Sequence, residues 1–326
     1  MAKNDLKQSI KRRFNYDVSE LEPYIDAQST DIFTDLVYGA GLTSRITVQE
    51  NNKGAEYIKI LTSEPSLQAA TTCGWTPMGG IILTDTELRT KRVKIQEEYC
   101  NEDLNGTWAQ LMNKAGANVQ DKTAPFEAIM INYYIEKARK MNQDLMLNGD
   151  TISLDPNLVF YDGFRKQWKA DANLNVYNSS QVTITEANAY GIARGMVSSA
   201  PAVVRSNSVN LELMVGLETY DKIITNVYND NNFHFSLSTQ DGVEPSFILP
   251  GTTTTVRVYD QLNGTDEMYL VPLEYMFWGT DLESDVEGFE FKYDESSEKL
   301  RFGVKWRSGV EYIFSEYFTR LELAAS

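Results

Sequence analysis

Residues 123–150 read "TAPFEAIMINYYIEKARKMNQDLMLNGD", and the fold turns on what this stretch becomes. Thr123 is placed to cap a helix, and Pro125 is tolerated in the first turn, where no intrahelical N–H bond is lost. Phe126, Ile129, Met130, Tyr133, Ala138, Met141 and Leu145 recur at three- and four-residue steps. That spacing predicts one apolar stripe, with Glu136, Arg139, Lys140 and Asn142 lying off it. A helix from Thr123 to Asn148 is roughly 37 Å long at about 1.5 Å per residue. Gly149 is placed to end it in the left-handed conformation, with Asn148 and Asp150 supplying turn hydrogen bonds around it.

Upstream of this helix the texture is extended. "GAEYIKIL" and "CGWTPMGGIILTDTELRTKRVKIQEEYC" predict a long twisted hairpin or small sheet, with "TPMGG" at 76–80 as its connector. Arg89, Lys91, Arg92, Lys94, Glu97 and Glu98 crowd its last strand, more charge than a strand buried on both faces tolerates. The hairpin is therefore expected to project and to pack on another molecule. Ahead of it lies a basic arm, in which Lys3, Lys7, Lys11, Arg12 and Arg13 oppose only Asp5.

Downstream, "TITEANAYGIARGMVSSAP" offers Thr183 or Thr185 as a cap and Pro201 as a stop, and "LELMVGLETYDKIITNVYND" reads as a strand turning into a helix. "LNGTD" marks a turn between extended runs. Residues 180–276 thus predict a compact α/β subdomain. At the C-terminus Phe289, Phe291 and Tyr293 alternate with polar partners, as do Leu300, Phe302, Val304 and Trp306. These strands are expected to pack against the long helix, since each needs cover for an apolar face.

Composition narrows the function. The chain has 326 residues, 42% of them apolar and 23% charged, enough for a sizeable core. Its formal charge of −16 argues against holding nucleic acid along its surface, where a dense basic footprint is required. Cys73 and Cys100 form no C-x-x-C pair, and His234 is the single histidine, so thiolate and multi-imidazole metal sites are not expected. Asp281, Glu283 and Asp285 have calcium-loop spacing, but Val286 and Lys292 stand where glycine and glutamate are needed. No nucleotide-binding or hydrolase motif occurs, so no catalytic residue, cofactor or metal is assigned. Trp75, Trp108, Trp168, Trp278 and Trp306 are read as core and interface anchors rather than as a sugar-binding groove. No apolar run long enough for a membrane span or a secretory signal occurs, which predicts a cytoplasmic origin.

The order of basic arm, hairpin, long helix ending in Asn148, Gly149 and Asp150, inserted α/β region and glycine-containing final strands from Arg307 to Leu323 resembles the major capsid proteins of tailed double-stranded-DNA phages, the Hong Kong 97 type. A narrower likeness is to crAss-like and related Bacteroidetes phages, carried by Cys73, Gly74, Trp75, Cys100, Asp103 and Leu104. The resemblance implies an α+β fold with an N-terminal arm at 1–48, an extended hairpin (E-loop) at 49–104 and a peripheral domain at 105–179 and 277–326. It places a spine helix at about 123–148 and an axial domain at 180–276. It further implies hexamers and pentamers closing into an icosahedral shell around the genome in the virion, assembled in the host cytoplasm. DNA is enclosed without sequence-specific binding, and portal, scaffold or decoration proteins are the partners, with no membrane. Lys11, Arg12, Arg13, Trp75, Arg89, Arg92 and Lys94 are the subunit-interface candidates, and Asn148, Gly149 and Asp150 the structural hinge. Covalent cross-linking is not expected, since no motif selects among Lys91, Lys94 and Asn263. The alternatives are an encapsulin-type compartment and a carbohydrate-binding or tail-adhesion protein.

Overall fold

The computed structural model describes residues 41–67, 79–100, 126–206, 210–229, 245–281, 289–294 and 299–325. In chain order these give β1 (Thr47–Gln49), β2 (Ala55–Pro65), β3 (Gly79–Arg89), β4 (Lys91–Cys100), α1 (Phe126–Asn148), α2 (Phe164–Ala170) and β5 (Asn175–Asn178). There follow α3 (Ala189–Ser199), α4 (Ala202–Ser206), β6 (Leu211–Val215), α5 (Leu217–Asn229), β7 (Ser246–Ile248), β8 (Thr255–Val258) and β9 (Tyr269–Pro272). The chain closes with β10 (Met276–Gly279), β11 (Phe289–Asp294), β12 (Lys299–Tyr312) and β13 (Thr319–Glu322). It divides into two compact units, one of residues 1–37, 94–138 and 283–306, the other of residues 38–93, 139–282 and 307–326.

In the first unit β11 runs antiparallel to β12, with Phe291 opposite Phe302 and Tyr293 opposite Leu300, and β4 also pairs with β12. Tyr134 of α1 stacks on Phe302 at 4.2 Å, so helix and strand cover each other as their patterns require. Glu98 holds Lys299 and Arg301 at 3.1 and 2.9 Å. The charge of the 91–100 stretch therefore belongs to a strand of this sheet, not to the hairpin that precedes it.

In the second unit a six-stranded sheet runs β5-β13-β9-β6-β8-β7. Ile192, Ala193 and Met196 of α3 and Tyr220 and Ile223 of α5 pack on Leu213, Val215, Val256, Val258 and Leu270 of the strands. Helix ends are satisfied from outside the helices. Asn226 accepts the Tyr190 N–H at 3.0 Å, and Asn263 accepts the Leu217 N–H at 2.8 Å. Neither Thr183 nor Thr185 caps α3 with its side chain; Asn188 stands at that position and accepts the Thr185 N–H instead. The final strand β13 lies between β5 and β9 in this sheet.

Two charge clusters tie loops to the sheet. Glu212, buried in β6, binds Arg45 at 2.8 Å, Arg257 at 3.2 Å and the Tyr259 hydroxyl, while Arg45 also lies over the Tyr259 ring at 5.3 Å. Glu267 accepts from Arg165 at 2.5 Å, Lys169 at 2.6 Å and Tyr269 at 2.6 Å. Trp168 of α2 lies in an aromatic cluster with Phe164 of the same helix, Tyr269, Tyr312 and Phe318. Trp168, Trp278 and Trp306 are all buried, as expected of core anchors.

Burial raises the Glu267 carboxyl, but the bonds from Arg165, Lys169 and Tyr269 outweigh it and hold it at about 2, below its ordinary 4.5. A depressed carboxylate stabilises the fold above its unfolded value, and that contribution is lost as pH falls from about 4.5 toward 2. Thermal unfolding of the wild type should therefore shift down over that window. The Glu267→Gln variant should begin lower at neutral pH and lose less on acidification, which parallel thermal scans at pH 7, 4 and 3 measure.

Candidate functional site

The long helix ends as a rod that the chain clamps from several sides. Its buried face is Tyr134, Ile135, Ala138, Asn142, Leu145 and Met146, while Tyr133 and Met141 are exposed. The stripe is thus turned from the one expected, keeping Ala138 and Leu145. The reason is Asn142, a polar side chain that faces inward because its Oδ1 accepts the Ser308 hydroxyl at 3.1 Å. Ser308 in turn accepts the Trp278 Nε1–H at 2.9 Å and lies 2.7 Å from the Tyr161 hydroxyl. One hydroxyl donating once and accepting twice uses its full capacity, so four side chains are satisfied out of water. Burial drives the Tyr161 phenol well above its usual range, keeping it a neutral donor.

Gly149 does not end the helix in the left-handed region. Among the described residues the glycines of positive φ are Gly41, Gly251 and Gly264. The constraint at Gly149 is space: a Cβ there would lie 2.5 Å from the Tyr161 carbonyl oxygen and 3.0 Å from the Gly163 nitrogen. A Cβ on Gly163 would lie 2.7 Å from the Gly149 nitrogen. The returning backbone bonds directly across this contact, from Gly163 N–H to Gly149 O at 2.8 Å and from Asp150 N–H to Leu158 O at 2.8 Å. Asp150 makes the expected turn bond to the Ile152 N–H at 2.9 Å and holds Lys166 at 2.6 Å. Asn148 reaches further, donating to Asp144 at 2.8 Å and to the Gln261 carbonyl at 3.1 Å, and accepting from Arg165 at 3.0 Å.

A second constellation forms the root of the hairpin. β2 and β3 pair without interruption from Ala55 opposite Arg89 to Pro65 opposite Gly79. Gly79 and Gly80 are accordingly ladder residues rather than part of the connector. Tyr57, Leu61, Ile81, Ile82 and Leu83 are 57, 65, 75, 64 and 59% exposed, so the ribbon has apolar side chains and no core of its own. At its base the side chains go under cover: Leu88, Thr90 and Asn52 are buried. Asn52 donates from its backbone to Thr280 O at 3.0 Å and from Nδ2 to Leu88 O at 3.1 Å, and its Oδ1 accepts the Gly54 N–H at 3.1 Å. Thr90 closes the loop, with N–H to Gly54 O at 2.8 Å and hydroxyl to Asn52 O at 3.1 Å.

This root rests on a pair of glycines that face each other across β10 and β12, Gly279 and Gly309. A Cβ on Gly279 would lie 2.8 Å from Thr90 Cγ2 and 2.9 Å from Leu88 Cδ2, and one on Gly309 would run into the Arg89 carbonyl. Burial raises the carboxyl of Glu311, two residues beyond Gly309 and so on the same strand face, to about 7.

Of the interface candidates, Lys11, Arg12, Arg13 and Trp75 lie outside the described residues, as do Cys73, Gly74, Asp103 and Leu104. Arg89 ends β3, exposed and paired with Glu87 at 2.7 Å, which raises its pKa. Arg92 and Lys94 are exposed on β4, Lys94 donating to Gln96 at 2.9 Å. Asp281 is buried near Arg307 at 3.6 Å rather than open as a calcium ligand, and Glu283 and Asp285 fall outside the description. Among the described residues no cluster of three His, Cys, Asp or Glu side chains could hold a metal. Asn52, Thr90 and the glycine seat are absent from the sequence expectations, although Gly309 falls within the glycine-containing final strands.

No family model matches the chain, and no curated protein matches it. Solved structures do. The chain is similar over 91% of its length to the whole of a chain from the satellite phage P4 procapsid including size determination (Sid) protein, at 11% identity and a TM-score of 0.59. It is similar over 88% of its length to 97% of a chain from the capsid of an empty GTA particle, at 12% identity and a TM-score of 0.57. For the capsid of Myoviridae phage XM1 the shares are 86% and 92%, at 11% identity and a TM-score of 0.51. These likenesses establish the fold, the Hong Kong 97 type of phage capsid proteins, with mixed α and β elements.

Replacing Ser308 by Ala removes the hydrogen-bond partner of the buried Trp278 Nε1–H and of the Tyr161 hydroxyl, each costing about 1–3 kcal/mol if left unpaired. The variant should unfold at a temperature several degrees lower, measured by thermal denaturation. Gly149→Val should be at least as damaging, because backbone oxygens rather than mobile side chains occupy the space.

Proposed function

We propose that this chain is the major capsid protein of a tailed phage, and that its copies form the hexamers and pentamers of an icosahedral shell around double-stranded DNA. The observation that carries the proposal is the ribbon β2–β3. A two-stranded ribbon is marginal in water on its own, and this one holds its apolar side chains in solvent while its base is bonded into the fold. Such a surface is built to be covered by another copy. The capsid fold supports the same reading, since shells are made from many modest contacts summed over neighbours.

On this proposal α1 and the β10–β12 strands belong to a peripheral domain and the six-stranded sheet to an axial domain, with the arm and the hairpin overlapping neighbours. Arg89, Arg92 and Lys94, all exposed, would then meet acidic surface on adjacent copies of a chain whose net charge is −16. Portal, scaffold and decoration proteins would be further partners, and the virion the final location. The acidity would keep the lining from trapping DNA during packaging.

Expression of the full chain followed by size-exclusion chromatography and negative-stain microscopy tests the proposal. Capsomers or closed shells are expected, and a soluble monomer would refute it. Shells that load protein cargo rather than DNA during infection would favour an encapsulin-type compartment. The paired change Leu61→Lys with Leu83→Glu replaces apolar residues directly opposite each other by opposite charges, which the ladder tolerates. Its thermal midpoint should stay near wild type while shell formation is lost.

A further inference from the structure

Resting on the capsid proposal, the geometry points to Asn52 as a positioning residue: with Thr90 and the Gly279/Gly309 seat, it sets the angle at which the hairpin leaves the sheet, and that angle fixes the size of the particle. Three points of the chain meet at this one residue. Its backbone N–H is bonded to Thr280, just past the end of β10, its Nδ2 to Leu88 of the returning strand, and its Oδ1 to Gly54 at the start of the outgoing strand. Asn51, immediately before it, has φ 66, a left-handed turn that aims the chain into the root. Thr90 links β3 to β4, and its hydroxyl is bonded to the Asn52 carbonyl at 3.1 Å.

Leverage makes this root decisive. The described ladder of β2 and β3 spans about 34 Å at about 3.4 Å per residue. A rotation of about 10° at the base would carry the far end roughly 6 Å, more than the spacing of about 4.8 Å between neighbouring strands. Close-packed contacts are sensitive to shifts the size of a methylene group, so the far residues Ile81 to Leu83 find the same partner only if the base is held within a few degrees. Hydrogen bonds alone leave some freedom. The glycine seat removes it, because Arg89 and Thr90 lie so close to the sheet that a single Cβ on Gly309 would push them out. The contact is backbone on backbone, and no rotamer change can absorb a misfit. An unsatisfied buried Leu88 carbonyl in Asn52→Ala gives the hairpin a reason to tilt toward solvent.

The test compares particles of Asn52→Ala and Thr90→Val, the second keeping the shape of Thr90 and deleting only its hydroxyl, with particles of Glu267→Gln, a destabilising change in the α2–β9 cluster. Circular dichroism of the unassembled chains confirms folding, and cryo-electron microscopy gives the distribution of diameters. The two root variants are expected to fold and to give a broadened or shifted distribution or open sheets, Thr90→Val less than Asn52→Ala, while Glu267→Gln keeps the wild-type diameter. Wild-type diameters for both root variants, or equal broadening in Glu267→Gln, would overturn the inference. A wild-type chain that forms no particle defeats the capsid proposal instead, so the two failures are told apart.

Discussion

Successive residues of a β-strand point to opposite faces, and in β12 that rule puts Ser308 and Gly309 back to back. On one face the Ser308 hydroxyl collects Asn142 of the long helix, Trp278 of β10 and Tyr161 of the returning loop. On the other, the missing side chain of Gly309 lets Arg89 and Thr90 settle onto the sheet. Two adjacent residues thus hold the helix and the hairpin root to one strand. A Cβ added at Gly309 would drive into the Arg89 carbonyl, which no rotamer change relieves, while losing the Ser308 hydroxyl would take a partner from Trp278 and Tyr161.

The same economy recurs at the end of the helix. Gly149 and Gly163 face each other because the chain must double back within hydrogen-bond range of the last helical turn. Asn148 and Asp150 then bind outward, to Gln261 and Arg165 on one side and Lys166 on the other. The rod is fixed in direction by side chains that belong to it and by partners that do not. A hinge in the sense of a free joint is not what this geometry provides; it provides a locked corner.

Much of this was legible in the sequence, and the misses have physical causes. The helix, the strand-to-helix turn at 211–229, and the alternation of Phe302, Val304 and Trp306 in β12 follow from local periodicity, which the fold respects. The inward face of α1 was misjudged because Asn142 counts as polar in any pattern, whereas a buried amide with a matched hydroxyl carries no penalty. Gly149 was assigned the commonest role of a glycine after a helix, because the neighbour that crowds it, Tyr161 to Gly163, is visible only once the chain has folded back. The charge of Lys91 to Glu98 was given to the hairpin because sequence does not show that Thr90 ends one sheet and starts another. Asn52 carried no signal at all, being one of two adjacent asparagines in a turn-like stretch.

The proposed function requires that the apolar side chains of β2 and β3, exposed in the single chain, be covered by another copy. A cryo-electron microscopy reconstruction of particles grown from the purified full-length protein addresses this directly. It should show a closed icosahedral shell in which Tyr57, Leu61, Ile81 and Leu83 are covered by a neighbouring subunit and Asn52 still bridges Thr280 and Leu88. Shells with those side chains open to solvent, or no shells at all, would contradict the account.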